Sequence, residues 1–328
     1  MGIIKERRKL NKAIRSAKTV FLMAHKNLDL DALGSQIGMY MLLKKKKKKS
    51  FIVIDDKTHE VGVEKVLREL EGCIDLIHGD EIEEHLYPRA SKNLLIILDT
   101  NKKELVQSEE ALSKIKNKLV IDHHDIGKTT IKDANLIIDN KTSSACEMVA
   151  NLIEYYDIEI EPYYATIILS GIVLDTNNYT LNTNAETYYT SYYLASLGAS
   201  AKKVQYLLKQ NIEEYAERQK LLSSIETIND NVAFTKATQY TQYRREELAK
   251  VADTLLFFNN IEASFIVGKI AKDTIGVSAR SLGNYDISSI LEKLGGGGDA
   301  TSGAATFEKS TISKVEQEIK KLIKEEGE

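Results

Sequence analysis

Residues 118–127 read KLVIDHHDIG. Leu119-Val120-Ile121 is a short apolar run of the kind that forms a buried strand, and Gly127 follows as a turn residue. Asp122-His123-His124 therefore falls at the end of a buried strand. In an open α/β sheet that edge is where ligands bind. Three more polar clusters stand at element ends: His25-Lys26-Asn27-Leu28-Asp29-Leu30-Asp31, Asp99-Thr100-Asn101 and Asp175-Thr176-Asn177. Together the four point to one convergent metal site.

Outward from this strand, apolar runs alternate with helical patterns. Strands are expected at 19–23 (TVFLM), 51–54 (FIVI), 74–77 (IDLI) and 94–98 (LLIIL), the last delivering Asp99. Helices are expected at 4–17, from Asp31 to the lysines 44–49, at 61–70, at 103–116 and after Thr142-Ser143-Ser144, which reads as an N-terminal cap. Residues 163–174 (YYATIILSGIVL) are apolar on nearly every face, too long for a typical strand, and read as a buried helix ending at Asp175. Continuous apolar strands between helices define an α/β fold with a parallel sheet covered on both faces. Beyond a helical connector at 191–226, residues 227–328 read as a smaller α/β unit with strands near 231–238, 262–270 and 274–280. The run Gly295 to Gly298 reads as a flexible loop.

Composition limits the function classes. The chain has 328 residues, 43% hydrophobic and 28% charged, with a net charge of −3. It is long enough for two domains, ordinary for a soluble protein, and lacks the basic footprint for long nucleic acid. Cys73 and Cys146 are the only cysteines. They exclude a disulfide framework and a cysteine zinc site, and fit a reducing cytosol. No apolar run is long enough for a membrane span, and MGIIKERRKL lacks a signal peptide's apolar segment. A cytoplasmic chain is expected, or the cytosolic part of a membrane-anchored one.

His25, Asp29 and Asp31 lie within seven residues, and one imidazole with two carboxylates suits Mn²⁺ or Mg²⁺. The same carboxylates also suit a helix N-terminus. Asp99 alone would pass as a strand-end turn residue. Two adjacent histidines behind an acid at a strand end are uncommon, and a carboxylate ending a buried helix, as Asp175 does, is costly unless paired or metal-bound. Coincidence across all four clusters is improbable. His59, His78 and His85 read as surface or loop histidines, and the paired tyrosines as core or helix-face residues. Arg280, in Ser278-Ala279-Arg280-Ser281, suits a phosphate by its fork of donors, and equally a plain surface position.

The order H-x-x-x-D-x-D, D, DHH, D and a distal glycine run resembles the DHH/DHHA1 phosphoesterase family over about residues 19–310. HKNLDLDALGSQIG, VIDHH, TSSACEMV, GIVLDTNNY, VSARSLG and LGGGG are most similar to its GdpP-type cyclic-di-AMP phosphodiesterases. The resemblance implies a DHH domain at 1–190 and a DHHA1 domain at 227–328, two lobes with the substrate in the cleft between them. It also implies two Mn²⁺ ions, with Mg²⁺ or Co²⁺ as substitutes. One ion would take His25, Asp29 and Asp99; the other Asp31, Asp99, His123 and Asp175, with Asp99 bridging. Asp122 would orient a histidine and His124 would meet the substrate phosphate, so Asp99, Asp122 and His124 form the catalytic set. Ser144, Ser278, Arg280, Gly296, Gly297, Gly298 and Asp299 would contact substrate. The family pattern GGGH is here Gly296-Gly297-Gly298-Asp299, and an ionised Asp cannot donate to a phosphate.

The implied reaction is hydrolysis of cyclic di-AMP to 5′-pApA. Alternatives are a nanoRNase-like hydrolase of pApA and short oligonucleotides, a non-catalytic cyclic-dinucleotide sensor suggested by Asp299, and a family II pyrophosphatase, which the second-domain motifs disfavour. The expected partners are a small cyclic or linear dinucleotide and a second copy of the chain.

Overall fold

The computed structural model describes residues 2–55, 59–298 and 300–326, the side chains of Glu214, Glu246 and Glu326 aside. Two compact units divide at Gln210 and Asn211. The residues expected as a connector are shared between them, as shown below.

The first unit holds strands β1 (Thr19–Met23), β2 (Lys49–Val53), β3 (Leu76–Ile77), β4 (Asn93–Leu98), β5 (Lys118–Asp122) and β6 (Asn135–Ile138). All pair in parallel, in the order β3-β2-β1-β4-β5-β6. Its helices are α1 (Gly2–Lys5), α2 (Arg7–Ser16), α3 (Leu30–Lys45), α4 (Val61–Glu69), α5 (Ile82–His85), α6 (Glu109–Lys114), α7 (Ala145–Tyr155), α8 (Pro162–Asp175), α9 (Ala185–Ser196) and α10 (Ala201–Leu207). Because side chains alternate along a strand, Val20 and Leu22 join the core under α3, α7 and α8. Phe21 and Met23 join a second core with Phe51, Leu95, Val120 and Ala111 on the opposite face. Both faces are covered, which is why these strands are apolar at every position.

Strand order reverses between β1 and β4, the point where an open sheet forms its ligand crevice. Three helices close over this region. A Cβ added to Gly171 of α8 would lie 2.5 Å from Cys146 Sγ and 2.8 Å from Asp31 Cα, and one on Gly34 of α3 would lie 2.7 Å from the same sulfur. Only glycine permits this approach. It brings the N-termini of α3 and α7 and the body of α8 together around Cys146.

One expectation is corrected here. The helix at 103–116 is a 3₁₀ turn at Lys103–Leu105 followed by α6, which Ser108 caps. The intervening backbone is committed elsewhere: Lys26 N–H donates to Leu105 O (2.6 Å) and Gln107 N–H to Ala24 O (3.0 Å), clamping the loop that carries His25. β6 was not anticipated; of its four edge residues only Ile137 is buried, which leaves a weak pattern.

The second unit contains α11 (Ile212–Leu222), β7 (Glu226–Ile228), β8 (Val232–Lys236), α12 (Arg245–Leu255), β9 (Ala263–Ala271), β10 (Thr274–Ser281), α13 (Ile287–Lys293), β11 (Gly297–Gly298), β12 (Ser302–Glu308) and α14 (Ile312–Glu326). Its sheet runs β11-β12-β10-β9-β8-β7, antiparallel except for β8 with β9. Phe234, Phe265, Leu248, Leu255 and Ile319 fill its core. Val204 and Leu207 of α10 belong to the first unit's core and Leu221 of α11 to the second's. The glycine run is also not wholly loop: Gly297 and Gly298 pair with Ala304 and Gly303 of β12. A Cβ at Gly296 would meet Ala304 O at 2.4 Å, so a close backbone approach selects glycine there. Among the described residues no helix is long and apolar enough to cross a membrane.

Candidate metal centre and substrate residues

β1, β4 and β5 are neighbours, and their carboxyl ends deliver His25, Asp99 and Asp122-His123-His124 to one place. α8 brings Asp175 to the same point, and the start of α3 brings Asp29 and Asp31. The ligand atoms of His25, Asp29 and Asp99 lie within 4.8 Å of one another, as do those of Asp31, His123 and Asp175, and those of Asp99, Asp122, His123 and His124.

Each side chain is held from behind. His25 Nδ1 lies 2.7 Å from Lys26 O. A carbonyl only accepts, so Nδ1 carries a proton and Nε2 is the atom that faces Asp99 Oδ2, at 3.2 Å. Gln107 steadies this loop by donating to His25 O at 2.9 Å. Asp29 caps α3, accepting from Ala32 N at 2.9 Å. Asp31 is fully buried, and its two oxygens accept from Ala145 N and Cys146 N, each at 2.8 Å. The carboxylate of one helix therefore sits on the positive end of another. Asp99 has φ +59°, a left-handed backbone that Asp tolerates better than most residues and that turns the chain sharply at the strand end.

The facing atoms are crowded and unsatisfied. His123 Nε2 lies 3.3 Å from Asp99 Oδ1 and 3.3 Å from Asp175 Oδ2. His123 Nε2 and Asp99 Oδ1 are nonetheless buried without a hydrogen bond, because proximity lacks the alignment. Burial, with the Asp99 and Asp175 charges and against the opposing His25, pushes Asp29 up to about 7. Burial and the same two carboxylates raise Asp31 as well. Asp99 goes the other way: against the cost of burial, the neighbouring His123 and His25 imidazoles hold it well below the usual carboxylate range. Burial opposes protonation of His25 and His123, but Asp99 beside both, with Asp29 and Asp175, raises each well above an ordinary histidine. Converging carboxylates, imidazole lone pairs and orphaned buried atoms are the donor set of a hard or borderline divalent cation. The residues fit such an ion.

Asp122 has a different task. It is fully buried and its Oδ1 accepts from His124 Nδ1 at 2.8 Å, while its Oδ2 accepts from Asn101 Nδ2 at 2.7 Å. The histidine it orients is thus His124, whose ring is half-exposed with Nε2 turned away from Asp122. Asn101 is further fixed by a 2.8 Å hydrogen bond from Thr130 Oγ1. Sequence reasoning quoted Asn101 but gave it no role; an amide two residues past a strand-end Asp was the available signal. The α7 amides on Asp31 were also missed. The cap was legible, but not which carboxylate it would meet.

Ser144 is fully buried and its hydroxyl caps α7, accepting from Glu147 N at 3.0 Å. In the second unit, Arg280 Nε donates to Asp253 Oδ1 at 2.7 Å and its Nη1 to Ala279 O at 3.0 Å, with buried Ser278 alongside. Asp253, in the last turn of α12, carried no sequence signal; burial raises its pKa against the pull of Arg280. Gly296, Gly297 and Gly298 lie by β12, and Asp299 is outside the described residues.

Residues 19–172 match the DHH family, N-terminal domain, and residues 229–325 match the DHHA1 domain. With both domains in sequence, the chain belongs to the DHH/DHHA1 family. It is 33% identical over 318 residues to the cyclic-di-AMP phosphodiesterase GdpP of Geobacillus thermodenitrificans, covering 96% of this chain and 48% of that protein. It is 32% identical over 314 residues to the cyclic-di-AMP phosphodiesterase PdeA of Listeria monocytogenes, covering 94% of this chain and 48% of that one. The chain therefore spans about half the length of these relatives. The crystal structure of an exopolyphosphatase-related protein from Bacteroides fragilis shares the fold, with a TM-score of 0.76 at 21% identity over 97% of each chain.

Proposed function

We propose that the chain is a Mn²⁺-dependent phosphodiesterase that hydrolyses cyclic di-AMP to 5′-pApA. The observation that carries this reading is the pair of buried, unpartnered atoms, Asp99 Oδ1 and His123 Nε2, facing one another at 3.3 Å within a ring of carboxylates. Similarity to two cyclic-di-AMP phosphodiesterases supplies the substrate class. His25, Asp29 and Asp99 would hold one ion and Asp31, Asp99, His123 and Asp175 the other. When bound, two such ions supply Lewis acidity for the phosphoryl group and for the attacking water.

The chain's own residues do the rest. Lys26 O fixes the His25 ring so that Nε2 points inward. The α7 amides hold Asp31 in place. Asp122 fixes the ring of His124, and its charge, with that of Asp99, raises the His124 pKa against burial and the neighbouring His123. A protonated Nε2 directed outward then donates to a phosphate oxygen as negative charge builds. In the second unit, Arg280 would hold a substrate phosphate by sharing its fork between the ligand and Asp253.

The test is a substrate panel with purified protein and MnCl₂, resolved by chromatography. Cyclic di-AMP should be consumed and pApA should accumulate. Intact cyclic di-AMP alongside disappearing pApA would overturn the reading in favour of a nanoRNase-like hydrolase.

A further inference from the structure

At one end of the second unit's sheet lies an open cavity of about 630 Å³. Thr274, which opens β10, lines it. Arg280 stands six residues along the same strand, roughly 20 Å away at the usual rise of about 3.3 Å per residue. Neither Arg280 nor the glycine run lines this cavity, so it is separate from the substrate residues proposed above.

Its lining is basic. Lys236, Lys269, Lys272 and Lys309 contribute, with Asp273 as the acidic residue among them. Lys236 is paired with Glu316 at 2.6 Å. Lys269, Lys272 and Lys309 form no ion pair with a described residue. The first residues of α14, Ile312 and Ser313, also line the cavity, and the first turn of that 15-residue helix holds no acidic residue. Thr311 Oγ1 accepts from Lys314 N at 3.3 Å. The amides before Lys314 have no acceptor inside the helix, and the positive end of its dipole lies at the cavity.

An aromatic ring stands on the rim. Tyr240 lines the cavity and is 88% exposed, at the tip of the loop between β8 and α12. That loop is tied to β9 at both ends, by Ala237 N to Val267 O (2.7 Å) and Tyr243 N to Lys269 O (2.8 Å). Lone exposed tyrosines are ordinary. One held beside uncompensated lysines, hydroxyls and a helix N-terminus, at a cavity of ligand size, has a use.

The geometry points to a second ligand site here, for a nucleoside polyphosphate: phosphates among Lys269, Lys272, Lys309 and the start of α14, and the base stacked on Tyr240. It does not depend on the metal centre, so the two assignments fail independently.

The test uses the whole chain in EDTA, where no ion supports turnover, with ATP and inorganic tripolyphosphate as calorimetric titrants. ATP should bind saturably. Lys272→Glu with Lys309→Glu, both on the surface, should weaken both titrants by about tenfold or more. Tyr240→Ala should weaken ATP by about fivefold or more and leave tripolyphosphate unchanged. Arg280→Ala should alter neither. Absence of saturable binding at millimolar titrant, indifference to the double charge reversal, or loss of binding in Arg280→Ala would each overturn the site. ATP binding no tighter than tripolyphosphate, and unaffected by Tyr240→Ala, would overturn its assignment to a nucleotide.

Discussion

The parallel sheet of the first unit and the largely antiparallel sheet of the second handle charge differently. In the first, acids and imidazoles are anchored from behind, by Lys26 O, the α7 amides and Asn101, while Asp99 Oδ1 and His123 Nε2 at the front are buried without hydrogen bonds. In the second, the partly buried Arg280 is satisfied from within, because it already has Asp253. A site whose members repel one another needs a cation to complete it, whereas a site already paired needs only to share. Substitutions in the first unit should therefore strike metal loading and chemistry, and those in the second should strike substrate affinity.

The sharpest break of that contrast is Asp99→Ala. Asp99 faces both His25 and His123. Its loss should remove Mn²⁺ binding, read by calorimetry, and lower turnover by roughly a thousandfold or more, since Lewis-acid stabilisation is worth several kcal/mol. Near-normal Mn²⁺ affinity would sink the bridging assignment.

The crowding should also appear as a pH dependence without metal. Asp29, raised to about 7, and Asp31, also raised, bind protons more tightly folded than unfolded. Their stabilising contribution is full below the unfolded value near 4 and is lost as pH rises through the folded values, about 7 for Asp29. His25 and His123, also raised, contribute fully below the ordinary histidine value and lose that contribution as pH climbs through their folded values. Asp99, lowered, costs stability only in acid. In EDTA, Tm should fall from pH 6 to pH 8, and the increment restored by MnCl₂ should grow over the same interval. A Tm in EDTA that rises with pH contradicts the crowding argument.

Within the first unit, Asp122→Asn separates orientation from metal binding. Both Asp122 oxygens accept, one from His124 and one from Asn101. An amide must turn its NH₂ toward one of two donors. Turnover should drop about 10- to 100-fold, the range for lost orienting partners, with Mn²⁺ affinity nearly unchanged. Arg280→Ala gives the matching result in the second unit: KM higher by about tenfold, from loss of a charged hydrogen bond, with kcat and Mn²⁺ affinity preserved. A fall in kcat without a change in KM would erase the distinction between the units.

How much of this was legible follows the same division. The parallel strands were visible because each is apolar on both faces, and their ends because Asp99 and Asp122 break those runs abruptly. The buried helix α8 was visible for the same reason. What was hidden depends on pairing between distant segments. β12 owes its existence to pairing with β10, the two-residue β11 owes its own to β12, and the Arg280–Asp253 pair spans 27 residues with nothing local to announce it. The break in the helix expected at 103–116 arises because residues 105–107 clamp the His25 loop, a tertiary demand overriding local propensity. Asp31 was legible as an acid near the site, but its support by α7 required knowing that Gly34 and Gly171 let three helices touch.

Ser144 offers the smallest effect and the finest discrimination. Family resemblance placed it among the substrate contacts, whereas in the structure it is buried and caps the helix whose amides hold Asp31. Removing a serine cap costs about 1 kcal/mol, which for a unit of this size lowers Tm by about 2–4 °C. Ser144→Ala should show that loss together with a modest weakening of Mn²⁺ binding, because the same helix end orients a ligand. KM for the dinucleotide should stay unchanged under saturating Mn²⁺. A raised KM with an unaltered Tm would return Ser144 to the substrate and show that the α7 N-terminus does not depend on its hydroxyl.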